Sequence, residues 1–451
     1  MNSCEFKKEI LGKDIAVIGM GISNRPLIKY LVKHGANVTA YDMRTPEKLG
    51  EIYDEFTALG VKIVTGENYL DNLSGEIIFK TPGMRFDHPA LLSAKEKGSI
   101  VTSEMEVFFD ICPGNIIAIT GSDGKTTTTT LVHKMMTEAG YNTYLGGNIG
   151  TPLMTKAEEM SEDDWIILEL SSFQLHTIKK SPKIAVITNL SPNHLDVHKD
   201  YQEYIDAKKN IMLYQGENDK LIVNRSNAET HKIGKEAKGK LVDFSSKEDA
   251  YITLKDGVIK RCGKEVLKVS DIKIPGMHNV ENYMAAIGAV EGLVSDDVIV
   301  NVAKTFGGVP HRIELVRTLD GVRYYNSSID SSPNRSINTL NVFKEKVIMI
   351  AGGKDKGIPY DEIGPALVEK VKTLILIGKT ADKIEEALKK AGGENVPVVR
   401  CESYTEVVNT ARSIANDGDV VLLSPASTSF DMFNNFEERG NLFKKLVNEL
   451  N

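Results

Sequence analysis

Asn115-Ile116-Ile117-Ala118-Ile119-Thr120-Gly121-Ser122-Asp123-Gly124-Lys125-Thr126-Thr127-Thr128, followed by Thr129-Thr130-Leu131-Val132-His133-Lys134-Met135-Met136, is the stretch that decides the fold. An apolar β-branched run enters glycines, a lysine and hydroxyls, and leaves as a helix-patterned segment. That is the context a phosphate cradle requires. Glycines let backbone N–H groups converge on phosphate oxygens, and the helix N-terminus adds positive dipole. Lys125 is suited to neutralising terminal phosphates and the Thr126 hydroxyl to meeting Mg²⁺. Ile119 stands where a Walker A motif carries its first glycine, so the loop has a shorter G-x-x-G-K-T form. The expectation is a nucleoside triphosphate site on an α/β sheet.

Outward from this loop, short β-branched runs alternate with helix-patterned segments in both directions, which predicts largely parallel sheets. Three blocks separate, with boundaries at 1–103, 104–308 and 309–451. The first holds Asp14-Ile15-Ala16-Val17-Ile18-Gly19 and Asn37-Val38-Thr39-Ala40-Tyr41-Asp42, then short strands at Lys62-Ile63-Val64 and Glu76-Ile77-Ile78-Phe79. The second adds Trp165 to Leu170 and Ile184 to Asn189, a hairpin-like region from Leu241 to Ile274, and a helix from about Val280 to Leu293. The third carries Val347 to Ala351, Leu374 to Ile377 and Val420 to Leu423.

The 451 residues carry a formal net charge of -7, which argues against a nucleic-acid binder relying on an overall basic surface. Cys4, Cys112, Cys262 and Cys401 are scattered without a CxxC, so neither a zinc site nor a disulfide framework is expected. Met1 to Lys8 lacks an apolar signal core and no apolar run approaches membrane-spanning length. A cytoplasmic enzyme is the expectation.

Two further loops draw notice in the first block. Gly19-Met20-Gly21-Ile22-Ser23-Asn24 follows a strand and Asp42 ends the next, close to a dinucleotide fingerprint. Asn24 replaces the third glycine and Arg44 sits beside the acid, so a different diphosphate-bearing ligand fits at least as well as a nicotinamide or flavin. Thr81-Pro82-Gly83 lies at another strand's carboxyl end, where ligands of open sheets bind, although taken alone an ordinary Pro-Gly turn explains it better. In the second block, Glu169-Leu170-Ser171-Ser172-Phe173-Gln174 ends a strand in the sheet of the phosphate loop, where a carboxylate is placed to meet Mg²⁺ between phosphates. Asn193-His194-Leu195-Asp196-Val197-His198 ends the neighbouring strand; a histidine near phosphate or metal fits better than a zinc site. Lys208, read from its neighbours alone, is a helix-surface lysine.

Several of these motifs, in this order, resemble the Mur ligase family. Gly121 to Thr127, Gly146-Gly147-Asn148-Ile149-Gly150, Glu169 to Leu175, Asn193 to Asp196, Gly276-Met277-His278-Asn279-Val280-Glu281-Asn282 and Pro310-His311-Arg312-Ile313-Glu314 carry the resemblance. Gly19-Met20-Gly21, Thr81-Pro82-Gly83 and Asn435-Phe436-Glu437-Glu438-Arg439-Gly440 are similar to its D-glutamate-adding branch. The resemblance implies an α/β protein of three domains. These are an N-terminal Rossmann-like UDP-binding domain, a central P-loop-like mononucleotide-binding domain with an extra small β-region, and a C-terminal Rossmann-like domain that binds the amino acid. It implies ATP-dependent amide bond formation in peptidoglycan precursor synthesis, with UDP-N-acetylmuramoyl-L-alanine and D-glutamate as substrates and ATP and two Mg²⁺ as cofactors. Neither nucleic acid nor membrane is an expected partner, and a monomer is expected.

Roles follow by matching motifs. Gly121, Ser122, Asp123, Gly124, Lys125, Thr126 and Thr127 would hold the ATP phosphates, Asn279 and Asn282 the adenine, and Arg312 would reach the phosphates. Thr126, Glu169, His194 and a carbamylated Lys208 would hold the metal ions, with Lys125, Glu169, His194 and Lys208 forming the catalytic set. Ile22, Ser23, Asp42, Met43 and Arg44, with Thr81 and Gly83, would bind the uridine diphosphate end. Asn148, Ser171 and Gln174 would orient the muramoyl-alanine arm. Ser331, Lys356, Ser429, Phe430 and Phe436 would form the D-glutamate pocket. Ser327, Ile329 and Asn434 depart from the acidic, lysine and basic residues that relatives carry there. Another ligase of the same fold, such as a folylpolyglutamate synthase, and a nucleotide-binding redox or regulatory protein are the alternative readings.

Overall fold

The structure, a computed structural model, describes residues 1–21, 23–192, 197–355 and 357–451. Ile22, His194 and Lys356, each expected in a site, lie outside the described residues.

Each block builds one sheet. The first sheet has five strands, β1 (Asp14–Ile18), β2 (Asn37–Asp42), β3 (Lys62–Thr65), β4 (Ile77–Phe79) and β5 (Ile100–Thr102), all parallel in the order β3-β2-β1-β4-β5. The second has nine: β6 (Asn115–Thr120), β7 (Thr143–Gly147), β8 (Trp165–Glu169), β9 (Ile184–Ile187), β10 (Lys220–Asn224), β11 (Lys240–Ser245), β12 (Ile252–Lys255), β13 (Val258–Arg261) and β14 (Lys264–Lys268). Their order is β14-β13-β12-β11-β10-β9-β6-β8-β7. The third has six, β15 (Glu314–Leu319), β16 (Val322–Asn326), β17 (Val347–Ala351), β18 (Val371–Leu376), β19 (Val398–Arg400) and β20 (Val420–Leu423), in the order β15-β16-β20-β17-β18-β19.

Burial explains the runs. A parallel strand covered on both faces needs apolar residues at every position rather than at alternate ones. Ile116 to Ile119 and Ile166 to Leu168 are buried throughout, as are all five residues of β17. The region expected to be hairpin-like is so only from β12 onward, where β12, β13 and β14 pair antiparallel; β11 instead pairs parallel with β10 and β12. Asp256 and Gly257 turn β12 into β13 with φ of 51° and 72°, the left-handed pair that a tight hairpin demands.

The chain divides into two compact units, Met1–Asp271 with His278–Val302, and Ile272–Met277 with Ala303–Asn451. The first two sheets share the first unit and the third sheet forms the second. Among the described residues no helix is long and apolar enough to cross a membrane.

Candidate functional site

In the first unit, ligand-class residues gather at the carboxyl ends of neighbouring strands, where crossovers leave a crevice in an open parallel sheet. β9, β6, β8 and β7 are adjacent, and their ends deliver Asn189, Gly121, Glu169 and Asn148 to one edge. The phosphate loop follows β6 into the helix Lys125–Glu138, with Gly124 at φ 78° as its N-cap. A Cβ on Gly121 would strike Thr188 Oγ1, and one on Gly124 would strike Asn282 Oδ1, so both positions require glycine. The loop is braced from β9: Ser122 N–H donates to Asn189 O at 2.9 Å, Asp123 N–H to Asn189 Oδ1 at 2.9 Å, and Thr188 Oγ1 to Asp123 O at 2.6 Å. Lys125 folds its ammonium over the loop, donating to the carbonyls of Gly121 and Ser122, each at 2.9 Å.

Glu169 sits beside this loop and is buried. Its Oε1 accepts Asn148 Nδ2 at 2.8 Å, while Oε2 is buried with no hydrogen-bond partner among the described residues. A carboxylate oxygen left so is costly unless a cation meets it. Among the described residues no three His, Cys, Asp or Glu side chains gather as a metal cage. Mg²⁺ needs none, since it takes one or two carboxylates and fills its octahedron with phosphate and water. Glu169, with the Thr126 hydroxyl at the start of the phosphate-loop helix, therefore fits the ion.

Lys208 overturns its reading as a surface lysine: it is 2 % exposed. It lies on the inner face of the helix Tyr201–Leu213, with Nζ donating to Thr120 Oγ1 at 3.2 Å and 4.9 Å from the Tyr204 ring centroid. Burial above all, then the Lys125 charge, holds its amine well below the usual lysine range, against the pull of Glu169 and Asp123. Tyr204 also shares a hydrogen bond of 2.9 Å with Ser122 Oγ, so one helix turn supports both the lysine and the phosphate loop.

The first sheet builds a second glycine turn. Asp42, buried at the end of β2, accepts Met20 N–H at 2.7 Å and Arg44 Nε and Nη2 at 2.9 and 2.7 Å. Burial raises its carboxyl, but the Arg44 and backbone donors together outweigh that and leave it below the usual range. Asn24, where a fingerprint has glycine, uses its amide to hold the carbonyls of Ile18 and Gly19 at 2.9 and 3.0 Å. Gly19 packs on Thr81 from the end of β4. Met43 is exposed, as is Gly83.

Ser23, Pro82, Gly147 and Gln174 line one narrow cavity of about 20 Å³ between the two sheets' loop ends. Ser171 caps the short helix Ser172–Leu175, and its N–H and hydroxyl both donate to Gln174 Oε1 at 3.0 Å, fixing that amide. Lys80 and Glu104 line the same cavity and were not anticipated. Both are buried; burial lowers the lysine amine and pushes the Glu104 carboxyl up to about 7. Neither carries a local sequence signal; Glu104 Oε1 accepts the N–H of Met154, 50 residues along the chain, at 3.2 Å.

Asn279 and Asn282 are buried in the helix Met277–Ala289. Asn282 Nδ2 donates to Asn279 Oδ1 at 3.1 Å and its Oδ1 accepts Thr128 Oγ1 at 3.4 Å, which places the pair against the start of the phosphate-loop helix.

In the second unit, β16, β20 and β17 are neighbours, and their carboxyl ends bring Ser331, Ser429 and Gly353 to one edge. Arg439, fully buried, ties two of these turns: Nε and Nη2 donate to Ser328 Oγ and O at 2.9 and 2.8 Å, and Nη1 to Ser427 O at 3.1 Å. Phe436 O accepts Ser328 Oγ at 2.8 Å, and Phe430 is 59 % exposed. Ser327 is buried and its Oγ accepts Ile313 N–H at 3.3 Å, where the resemblance expected an acid. Asp330 is buried nearby on Ser424 Oγ at 2.7 Å, and Asn434 turns its amide onto Glu438. Arg312 is exposed.

A phosphate loop, a buried carboxylate with an orphaned oxygen, a desolvated lysine and a second glycine turn fit an ATP-using ligase of the three-domain Mur type. Family models agree along the chain: the MurD-like N-terminal domain of the Mur ligases matches 13–103, the Mur ligase middle domain 119–290, and the Mur ligase glutamate ligase domain 311–427. The chain belongs to the Mur ligase family. It is 55 % identical to the UDP-N-acetylmuramoylalanine–D-glutamate ligase of Acetivibrio thermocellus, over 99 % of this chain and 98 % of that protein. It is 54 % identical to the enzyme of the same name from Clostridium perfringens, over 99 % of each. Among solved structures, the UDP-N-acetylmuramate–alanine ligase of Thermotoga maritima shares the fold at TM-score 0.59 and 19 % identity, covering 96 % of this chain and 98 % of that one.

Proposed function

We infer that this protein joins D-glutamate to UDP-N-acetylmuramoyl-L-alanine, consuming ATP and releasing ADP and phosphate, in peptidoglycan precursor synthesis. The observation that carries the reading is identity above one half, across the full chain, to ligases named for that reaction. A carboxylate is a poor electrophile. Its oxygen therefore attacks the γ-phosphorus of ATP, the bond to ADP breaks, and an acyl phosphate forms. The D-glutamate amine then attacks the acyl carbon, loses a proton, and phosphate leaves with the former carboxylate oxygen.

Such transfer needs positioning and charge neutralisation more than covalent help from the protein. The loop amides of Gly121 to Thr127 and the Lys125 ammonium meet the phosphates. Bound Mg²⁺, two ions in this reading, supplies further neutralisation of phosphate charge, with Thr126, Glu169, His194 and Lys208 as holders. Lys208 serves as its carbamate: the neutral amine adds to CO₂ and releases one proton, and burial favours that neutral form. Ile22, Ser23, Asp42, Met43, Arg44, Thr81 and Gly83 take the UDP end, and Asn148, Ser171 and Gln174 the muramoyl-alanine arm. Asn279, Asn282 and Arg312 serve the nucleotide. Ser331, Lys356, Ser429, Phe430 and Phe436 take D-glutamate. Domain bounds at 103 and 308, a monomeric state and a cytoplasmic place complete the proposal.

Phosphate release from ATP, Mg²⁺ and UDP-N-acetylmuramoyl-L-alanine, measured with D-glutamate, L-glutamate, L-lysine or glycine in turn, tests it. Selective stimulation by D-glutamate is expected. Equal stimulation by another amino acid, or none by any, contradicts it.

A further inference from the structure

The loop after β4 and the segment leading into the helix Tyr201–Leu213 belong to different sheets, yet one side chain joins them. Arg85 uses all five of its N–H donors. Nε donates to Asp87 Oδ1 at 2.8 Å, and Nη2 to Asp87 Oδ2 and Glu203 Oε1, each at 2.9 Å. Nη1 donates to Glu203 Oε2 at 3.0 Å and to the Val197 carbonyl at 2.7 Å. A lone exposed ion pair contributes little. A guanidinium forked onto two carboxylates and a carbonyl fixes direction as well as charge. Phe86 reinforces the join, its ring centroid 4.4 Å from that of His176.

Glu203 carries the constraint inward. Its Oε2 also accepts Lys199 N–H at 2.7 Å and lies 3.4 Å from His198 Nδ1, while His198 Nε2 is 2.9 Å from Ser172 Oγ. The Glu203 carboxylate faces Nδ1 and the Ser172 hydroxyl faces Nε2, so the ring sits between the two. Serine, histidine and glutamate in this order have the residue types of a hydrolytic triad. Ser172 and His198 are only 2 % and 3 % exposed, however, so the hydroxyl meets no substrate. It anchors the first residue of the helix Ser172–Leu175, whose cap is Ser171 and whose last turn holds Gln174. Stacking of His198 on Phe173, centroids 5.1 Å apart and planes 5° apart, holds the ring in that geometry.

One end of this chain of contacts is the Thr81-Pro82-Gly83 loop and the other is the Ser171 to Gln174 turn. Pro82 and Gln174 face the same cavity. We propose that Arg85 is a positioning residue for the UDP-sugar substrate, locking the loop after β4 to the Ser171–Gln174 turn through Glu203, His198 and Ser172. The proposal rests on the substrate reading above. None of the residues assigned to ATP above is a member of this relay, so the larger effect of altering Arg85 falls on the UDP-sugar.

Initial rates for Arg85→Met, Arg85→Lys, Glu203→Gln and the double variant Arg85→Met/Glu203→Gln test this beside the unaltered protein. Arg85→Met raises KM for UDP-N-acetylmuramoyl-L-alanine roughly tenfold or more, with kcat and the KM for ATP within about threefold. Arg85→Lys, which keeps the charge and stem, falls between. The double variant is no worse than the poorer single one, as for two residues in one linkage. An unchanged KM for the UDP-sugar in Arg85→Met overturns the proposal, as does a parallel fall in kcat and ATP affinity or an additive double variant. If the unaltered protein shows no D-glutamate-dependent phosphate release, the substrate reading itself has failed, and that outcome is separate.

Discussion

Two turns of the first unit share a backbone plan and differ in chemistry. Both run from a buried parallel strand through glycines in the left-handed region into a helix, Gly19 at φ 86° after β1 and Gly124 at 78° after β6. After β6, the turn is surrounded by groups suited to moving charge: Lys125 over the loop, Glu169 with an orphaned oxygen, and Lys208, whose amine burial shifts toward the neutral form. After β1, the polar groups are spent on one another, Asn24 on two carbonyls and Arg44 on Asp42. In the proposed function the first arrangement acts on a phosphate and the second holds one. Backbone shape alone does not separate the two turns; the unpartnered Glu169 oxygen and the two lysines beside the turn after β6 do.

Breaking this contrast has its largest expected effect at Lys125. Lys125→Met should lower kcat/KM for phosphate release on the order of a thousandfold, because it removes a fixed charge aimed at the transferring group. A drop below tenfold would erase the distinction between the turns. Glu169→Gln comes next, with a loss on the order of a hundredfold and a higher Mg²⁺ concentration for half-maximal rate, since an amide N–H at the orphaned position repels a cation. Rates unaltered at every Mg²⁺ concentration would remove Glu169 from the metal site.

The turn after β1 should answer in binding. Asp42→Asn is expected to raise KM for the UDP-sugar about tenfold, equivalent to about 1.4 kcal/mol, with kcat nearly unchanged. Its carboxyl titrates below the usual range when folded. The stabilisation it lends is thus complete above the unfolded carboxylate pKa and lost as pH falls through the lower folded value. Melting temperatures of the two proteins should therefore converge on acidification from neutrality toward about pH 3. A gap independent of pH would show that Asp42 acts through packing.

The smallest effect is one of stability at Lys208. Its folded amine loses its proton well below the unfolded value, so between those two the unfolded state binds more protons and stability rises with pH. Without bicarbonate, Lys208→Met should melt about 1–4 °C higher at neutral pH, and the advantage should shrink toward pH 10. A variant that melts lower at every pH would contradict a buried, unpaid amine.

What was legible in the chain follows the range of the interactions. β6, its loop and the helix after it are local, and their residues carry the pattern themselves. Lys208 was misread because its charge outweighed its position, although Tyr204, Lys208 and Ile211 share one buried helical stripe. Arg85, Val197 and Glu203 are separated by 112 and 118 positions, and no local pattern announces contacts that only the packing of two sheets creates. The mixed pairing of β11 was hidden for the same reason: an apolar run signals burial but not the direction of its neighbour.

The central claim is that the loop around Lys125 delivers the γ-phosphate of ATP to a carboxylate. UDP-N-acetylmuramoyl-L-alanine labelled with ¹⁸O in both carboxylate oxygens, turned over with ATP, Mg²⁺ and D-glutamate, tests it through the mass of the released phosphate. One ¹⁸O per phosphate is the expected result, because the acyl phosphate's bridging oxygen leaves with it. Phosphate free of ¹⁸O would contradict the mechanism.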